Sequence, residues 1–130
     1  MIVIDASALV DLLLNRPTAA GTTAALAGRR SLHAPHLIHT EVLHALRRWV
    51  GRGDLGGARA ETALGDLRDL PLVPHGHAPL TERVWALRER LSAYDATYVA
   101  LAEALDATLI TADGRLARAA RPLVPIVHAS

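Results

Sequence analysis

Short apolar runs alternate with helix-length segments along the whole chain. The first run, Met-Ile-Val-Ile, is typical of a strand that is buried on both faces of a sheet. Further strands are predicted at residues 31–34, 72–73, 108–111 and 123–127. Helices are predicted at residues 6–14, 18–28, 36–50, 79–91, 95–105 and 113–120, and a further helix is predicted after the glycines at 51–57 and up to about residue 70. This alternation favours an α/β fold, in which a central, mainly parallel sheet of about four to five short strands carries helices on both faces.

The length of the chain favours one domain. A chain of 130 residues buries about two-thirds of its surface on folding, which is enough for one core and too little for two. A hydrophobic share of 51% argues against disorder. We therefore expect a single domain over residues 1–130. Because no segment resembles a targeting signal, we also expect a cytoplasmic protein.

Missing residue types exclude several chemistries. The chain has no cysteine, which excludes disulfides and thiolate metal sites. All 14 of its basic residues are arginine, so chemistry that needs a lysine is excluded as well. This argues against a receiver-type phosphoacceptor or an aspartate-nucleophile phosphatase, both of which place a lysine beside the aspartyl phosphate. A net charge of +1 means that any contact with nucleic acid must be local.

Acidic residues stand where a parallel sheet places its ligands. Asp5 follows the first strand and Asp113 follows the strand at 108–111, and ligands of such sheets bind beyond the carboxyl ends of the strands. Asp95 opens a buried helix, and Glu41 lies in the middle of the helix after Pro35. Each has an ordinary alternative: helix capping for the three aspartates, and a solvated helix face for Glu41.

Convergence of these four carboxylates on one crevice would require neutralisation. Two carboxylates about 4 Å apart repel each other by roughly 4 kcal/mol at an effective dielectric constant of about 20. A divalent cation relieves that repulsion, and hard oxygen ligands select Mg²⁺ or Mn²⁺. Such a site suits hydrolysis of a phosphodiester bond.

Four segments carry a resemblance to a known family over almost the whole chain: MIVIDASALVDLLL, APHLIHTEVLHALRR, SAYDATYVALAEAL and ATLITADGRLARAA. They resemble the signature segments of PIN-domain ribonucleases, in particular the VapC-type toxins of type II (VapBC) toxin–antitoxin pairs. The resemblance implies a single PIN-like nuclease domain and a Mg²⁺- or Mn²⁺-dependent endoribonuclease. It also implies that metal-activated water cleaves the RNA and leaves 5′-phosphate ends.

The resemblance also implies roles for particular residues and partners. The catalytic and metal-binding residues would be Asp5, Glu41, Asp95 and Asp113. Ser7 and Thr111 match small hydroxyl positions that orient a carboxylate or a metal-bound water, with local backbone capping as the alternative. The implied partners are an RNA substrate of the tRNA or rRNA class and a VapB-type antitoxin, in a homodimer or a higher complex.

Arginines near the acids are candidates for binding RNA phosphates. They are Arg47 and Arg48, which follow Glu41, and Arg115 and Arg118, which follow Asp113. The alternative is a solvated charged face.

The histidines do not form a recognisable metal motif. His39 and His44 are five residues apart, about 140° around a helix, so both cannot bind one ion as the zinc-protease motif requires. We expect His33, His36 and His75 to lie on the surface or in loops, as well as His77.

The alternative to a nuclease is a partner-binding regulatory module with a vestigial acidic pocket, and divalent-ion binding distinguishes the two.

Overall fold

The computed structural model describes residues 1–28 and 31–129. Within these residues the chain alternates between five strands and seven α-helices, with one 3-10 turn at Ala78–Leu80. The strands are β1 (Ile2–Ile4), β2 (Leu32–Pro35), β3 (Leu72–His75), β4 (Thr108–Thr111) and β5 (Ile126–His128). The helices are α1 (Ala6–Leu13), α2 (Ala19–Leu26), α3 (Leu37–Gly51), α4 (Gly57–Asp69), α5 (Thr81–Ala86), α6 (Ala93–Leu105) and α7 (Gly114–Ala120).

The five strands form one sheet in the order β3-β2-β1-β4-β5, and every pairing is parallel. The chain therefore adds strands outward from β1 on one side and then crosses to the other side at β4. Crossing makes β1 and β4 neighbours, with Ile4 paired to Ile110. At such a switch point the connections leave in opposite directions and open a crevice beyond the carboxyl ends of the strands.

Helices cover both faces of the sheet, as the sequence predicts. Ile2, Val3 and Ile4 are each at most 1% exposed, and successive side chains of a strand point to opposite faces. Both faces of β1 are therefore covered. Helix α6 packs against β1, β2 and β4, and it is buried from Ala96 to Ala102. No helix in the described part of the chain is long and apolar enough to cross a membrane.

Two predicted elements are shorter than the sequence suggests. The helix predicted at 79–91 ends at Ala86, where the Arg88 guanidinium donates to the carbonyl of Trp85 at 3.0 Å. The strand predicted at 123–127 begins only at Ile126. The amides of Leu123 and Val124 donate instead to Ala120 O at the end of α7, so they are not available to the sheet.

Candidate active site

Asp5 lies at the switch point, directly after β1. Its amide donates to Ile110 O at 3.0 Å, which extends the pairing of β1 with β4 by one residue. Its side chain caps α1 by accepting from the amide of Ala8 at 3.0 Å. The carboxylate also accepts hydrogen bonds from the hydroxyls of Ser7 (2.7 Å) and Thr111 (2.5 Å). Asp5 is therefore a helix cap, and it is also held from three directions in a buried position.

Ser7 and Thr111 join the ends of β1 and β4 around that carboxylate. The Ser7 hydroxyl accepts from the amide of Ala112 at 2.9 Å, and the Thr111 hydroxyl accepts from the amide of Asp113 at 3.0 Å. The two hydroxyl oxygens are 3.3 Å apart. The sequence leaves two alternatives for these hydroxyls, a bond to the local backbone and orientation of a carboxylate. In the structure each hydroxyl makes both contacts, since it accepts from a backbone amide and donates to Asp5.

Asp113 caps α7 and lies beside Asp5. Its Oδ1 accepts from the amides of Arg115 and Leu116 at 3.0 and 3.3 Å. Burial raises the pKa of Asp5 to about 6, hydrogen bonds from Ala8, Thr111 and Ser7 oppose the rise, and the charge of Asp113 adds to it. The two strand-end aspartates therefore repel each other across the crevice.

Asp95 does not cap α6, which corrects one alternative left open by the sequence. Ser92 is the cap, and its hydroxyl accepts from the amide of Asp95 at 3.1 Å. The Asp95 carboxylate lies instead 3.5 Å from the Arg115 guanidinium. Its pKa is raised by burial and by the charge of Asp113, and Arg115 opposes the rise.

Glu41 reaches the same region from α3 through a contact with Tyr98. The Tyr98 hydroxyl donates to Glu41 Oε1 at 2.6 Å. The pKa of Tyr98 is raised by burial, by this hydrogen bond, and by the negative charges of Glu41, Asp5 and Asp95. The structure therefore brings all four sequence-predicted acids to one region.

The donor set fits a hard divalent cation that keeps most of its waters. Among the described residues, no three His, Asp or Glu side chains are placed to hold one metal ion together. Mg²⁺ usually retains several waters and binds through one or two carboxylates, so it does not need three. The buried carboxylate of Asp5 and its repulsion by Asp113 are conditions that a cation would relieve.

A cavity of about 650 Å³ opens between α1 and α3, and Glu41 is the one of the four acids that lines it. Of the other candidate residues, Ser7 and Arg48 also line it, whereas Asp5, Asp95 and Asp113 do not, and Arg47 is exposed outside it. Arg115 is largely exposed at the Asp95 side of the site. Arg118 is exposed on α7, with its guanidinium beside Gly114.

The sequence alone did not reveal Tyr98. The available signal is its position three residues after Asp95 on a buried apolar helix, since a buried phenol needs a hydrogen-bond partner. The expectation for His33 was wrong: it is buried in β2, where its Nδ1 lies 2.8 Å from His75 Nε2. In so short a strand, the alternation of apolar and polar residues does not show that a histidine faces inward.

Comparison with known proteins relates this architecture to one family. The family model described as PIN domain matches residues 2–122. Ribonuclease VapC9 of Mycobacterium tuberculosis is 44% identical over 126 residues, which is 97% of this chain and 96% of that protein.

Two solved structures show the same fold. PAE2754 from Pyrobaculum aerophilum has a TM-score of 0.73 at 27% identity, covering 96% of this chain and 81% of that one. A toxin–antitoxin complex from Klebsiella pneumoniae has a TM-score of 0.69 at 20% identity, covering 100% of this chain and 98% of the other.

Proposed function

Since this chain belongs to the PIN domain family, we propose that it is a metal-dependent endoribonuclease, the toxin of a VapBC-type toxin–antitoxin pair. Its four carboxylates, Asp5, Glu41, Asp95 and Asp113, would form the catalytic, metal-binding site. Residues 1–130 would act as one PIN-like nuclease domain.

The observation that carries the proposal is the placement of the acids around the switch point. Asp5 and Asp113 follow neighbouring strands, and the charge of Asp113 raises the pKa of both Asp5 and Asp95. Stability alone does not explain such an arrangement, because repulsion between neighbouring carboxylates, one of them buried, destabilises a fold. Carboxyl groups with perturbed pKa values that lie close to one another are a feature of functional sites.

Mg²⁺ or Mn²⁺ is the cation that this donor set favours. When bound, a divalent cation lowers the pKa of a water molecule, polarises a phosphoryl oxygen and stabilises the leaving oxygen. Ser7 and Thr111 would keep Asp5 in one orientation, since each hydroxyl donates to a different oxygen of its carboxylate.

Arginines at the rim would hold the RNA. Arg48 lines the cavity beside Glu41, and Arg115 is exposed next to Asp95. A guanidinium can donate two hydrogen bonds to one phosphate, so these side chains can bind locally despite the near-neutral net charge. Arg118 lies on the same helix as Arg115, whereas Arg47 is less favourably placed for such a contact.

The proposed partners are an RNA of the tRNA or rRNA class and a VapB-type antitoxin, in a homodimer or a higher complex. The names of the relatives support the pairing: one is a VapC ribonuclease, and one structural neighbour is a toxin–antitoxin complex.

Cleavage of a pool of structured RNAs, with and without Mg²⁺ or Mn²⁺, tests the function. We expect cleavage only with the metal, and we expect Asp5→Asn to abolish it while the circular dichroism spectrum stays native. The matched control is Asp66→Asn, the same chemical change at an exposed position of α4, which should cleave as the wild type does. A wild type that neither binds divalent ions nor cleaves any RNA would favour the regulatory module instead.

A further inference from the structure

Tyr98 is buried in the middle of α6 and donates a hydrogen bond to a carboxylate of another helix. The side chain is 2% exposed. Its hydroxyl lies 2.6 Å from Oε1 of Glu41, a residue 57 positions earlier in the chain, on α3. A neutral donor with a charged acceptor forms a short, strong hydrogen bond. The bond therefore joins the helix that carries Asp95 to the helix that carries Glu41.

The surroundings keep the Tyr98 hydroxyl a donor. Burial and the nearby negative charges of Glu41, Asp5 and Asp95 all raise the pKa of the phenol, so it stays protonated throughout the accessible pH range. The ring itself packs in the hydrophobic core. The hydroxyl is thus a fixed donor, held by a rigid element, among three of the four acids.

Glu41 needs such a contact more than the aspartates do. Asp5 is held by Ser7, Ala8 and Thr111, and both of its oxygens are bonded. Glu41 has a longer side chain, is half-buried and borders the open cavity, so it has more rotamers to lose on ordering. Fixing Oε1 restricts the carboxylate, and this hydrogen bond does not use Oε2.

We propose that Tyr98 is a positioning residue that orients Glu41 for metal binding. The inference rests on the proposed function, because it assigns Glu41 to the metal site. Tyr98 itself touches neither the metal nor the RNA; it acts through Glu41.

The test is Tyr98→Phe, which removes one oxygen and keeps the packing of the ring. Mn²⁺ affinity is measured by titration calorimetry, RNA cleavage is measured across Mn²⁺ concentrations, and the metal-free structure gives the conformation of Glu41. We expect Mn²⁺ to bind at least about tenfold more weakly, as on loss of a contact behind a metal ligand. We also expect excess Mn²⁺ to restore much of the cleavage.

Thr97→Val is the matched control. Thr97 is the neighbouring residue on α6, it is also buried, and its hydroxyl donates to Ala93 O at 2.7 Å rather than to an acid. It should lose stability without losing affinity for Mn²⁺. A Tyr98→Phe protein that binds Mn²⁺ as tightly as the wild type would overturn the inference and leave the proposed function standing. A wild type that binds no Mn²⁺ and cleaves no RNA would overturn both.

Discussion

Replacing Asp5 by asparagine should make the metal-free protein more stable while abolishing its activity. The Asp5 carboxyl is 4% exposed, and its pKa is raised from 3.8 to about 6. At about 1.4 kcal/mol for each pH unit, that difference corresponds to a destabilisation of about 3 kcal/mol in neutral solution. Asparagine removes the charge and keeps an oxygen that can accept from Ser7 and Ala8.

The effect has a defined pH dependence. The folded state holds the Asp5 proton more tightly than the unfolded state, so the penalty is absent below about pH 4. It grows as the pH rises from 3.8 and is complete above about 6. The gain from Asp5→Asn should therefore be largest near pH 7.5 and should nearly vanish at pH 4.

Thermal unfolding in EDTA, followed by circular dichroism, measures this difference. For a domain of this size, about 2 to 3 kcal/mol corresponds to a rise in Tm of roughly 5 to 10 °C. Asp66→Asn on the exposed face of α4 should leave the Tm unchanged. Adding Mg²⁺ should raise the Tm of the wild type and not that of Asp5→Asn, because only the wild type retains the complete binding site. An asparagine variant that is no more stable than the wild type at pH 7.5, or whose gain does not shrink in acid, would refute the reasoning.

Three further substitutions test other parts of the site. Arg115→Ala removes the guanidinium 3.5 Å from Asp95. KM for RNA should rise several-fold, and the slope of log KM against log salt concentration should fall by about one. Ser7→Ala removes two hydrogen bonds and should lower the free energy of unfolding in urea by about 1 to 3 kcal/mol. His33→Gln should reduce the loss of Tm between pH 7 and 5. Burial and the charge of His75 lower the pKa of His33, so the wild type loses stability as the pH falls below about 6.5.

Each of these predictions has its own control. Arg68→Ala alters an exposed arginine beside Asp69 on α4 and should change neither KM nor its salt dependence. Thr62→Ala removes the hydrogen bond that an exposed hydroxyl donates to Ala58 O, and it should lower the free energy of unfolding less than Ser7→Ala does. His39→Gln alters an exposed histidine and should leave the pH dependence of Tm unchanged. Equal effects in a variant and its control would contradict the corresponding prediction.

The positions of the strand-end acids could be predicted because they depend on local patterns. A buried β-branched run identifies β1, and Asp5 follows it directly; a similar run identifies β4, and Asp113 follows its last residue by two positions. The rule for parallel sheets then places both residues at one edge. The pattern does not predict the order of the strands. In that order β1 lies beside β4, and this makes Asp5 and Asp113 neighbours.

The contacts between helices could not be predicted in the same way. Helix α6 is apolar on nearly all sides, so its periodicity does not show which face meets α3. The bond between Tyr98 and Glu41 depends on where the whole fold places those two helices relative to each other. The pairing of His33 with His75 depends likewise on the register of β2 and β3, which short strands specify only when they pack together.

The pairing of β1 with β4 has a consequence for biosynthesis. Thr111 donates to Asp5 from 106 residues further along the chain, and Asp113 follows two residues later. A nascent polypeptide emerges from the ribosome N-terminus first, so Asp5 is exposed long before Thr111 and Asp113 have been made. A growing chain therefore cannot bring Asp5, Thr111 and Asp113 together until β4 has been translated, and a product truncated before β4 would lack the proposed acidic site.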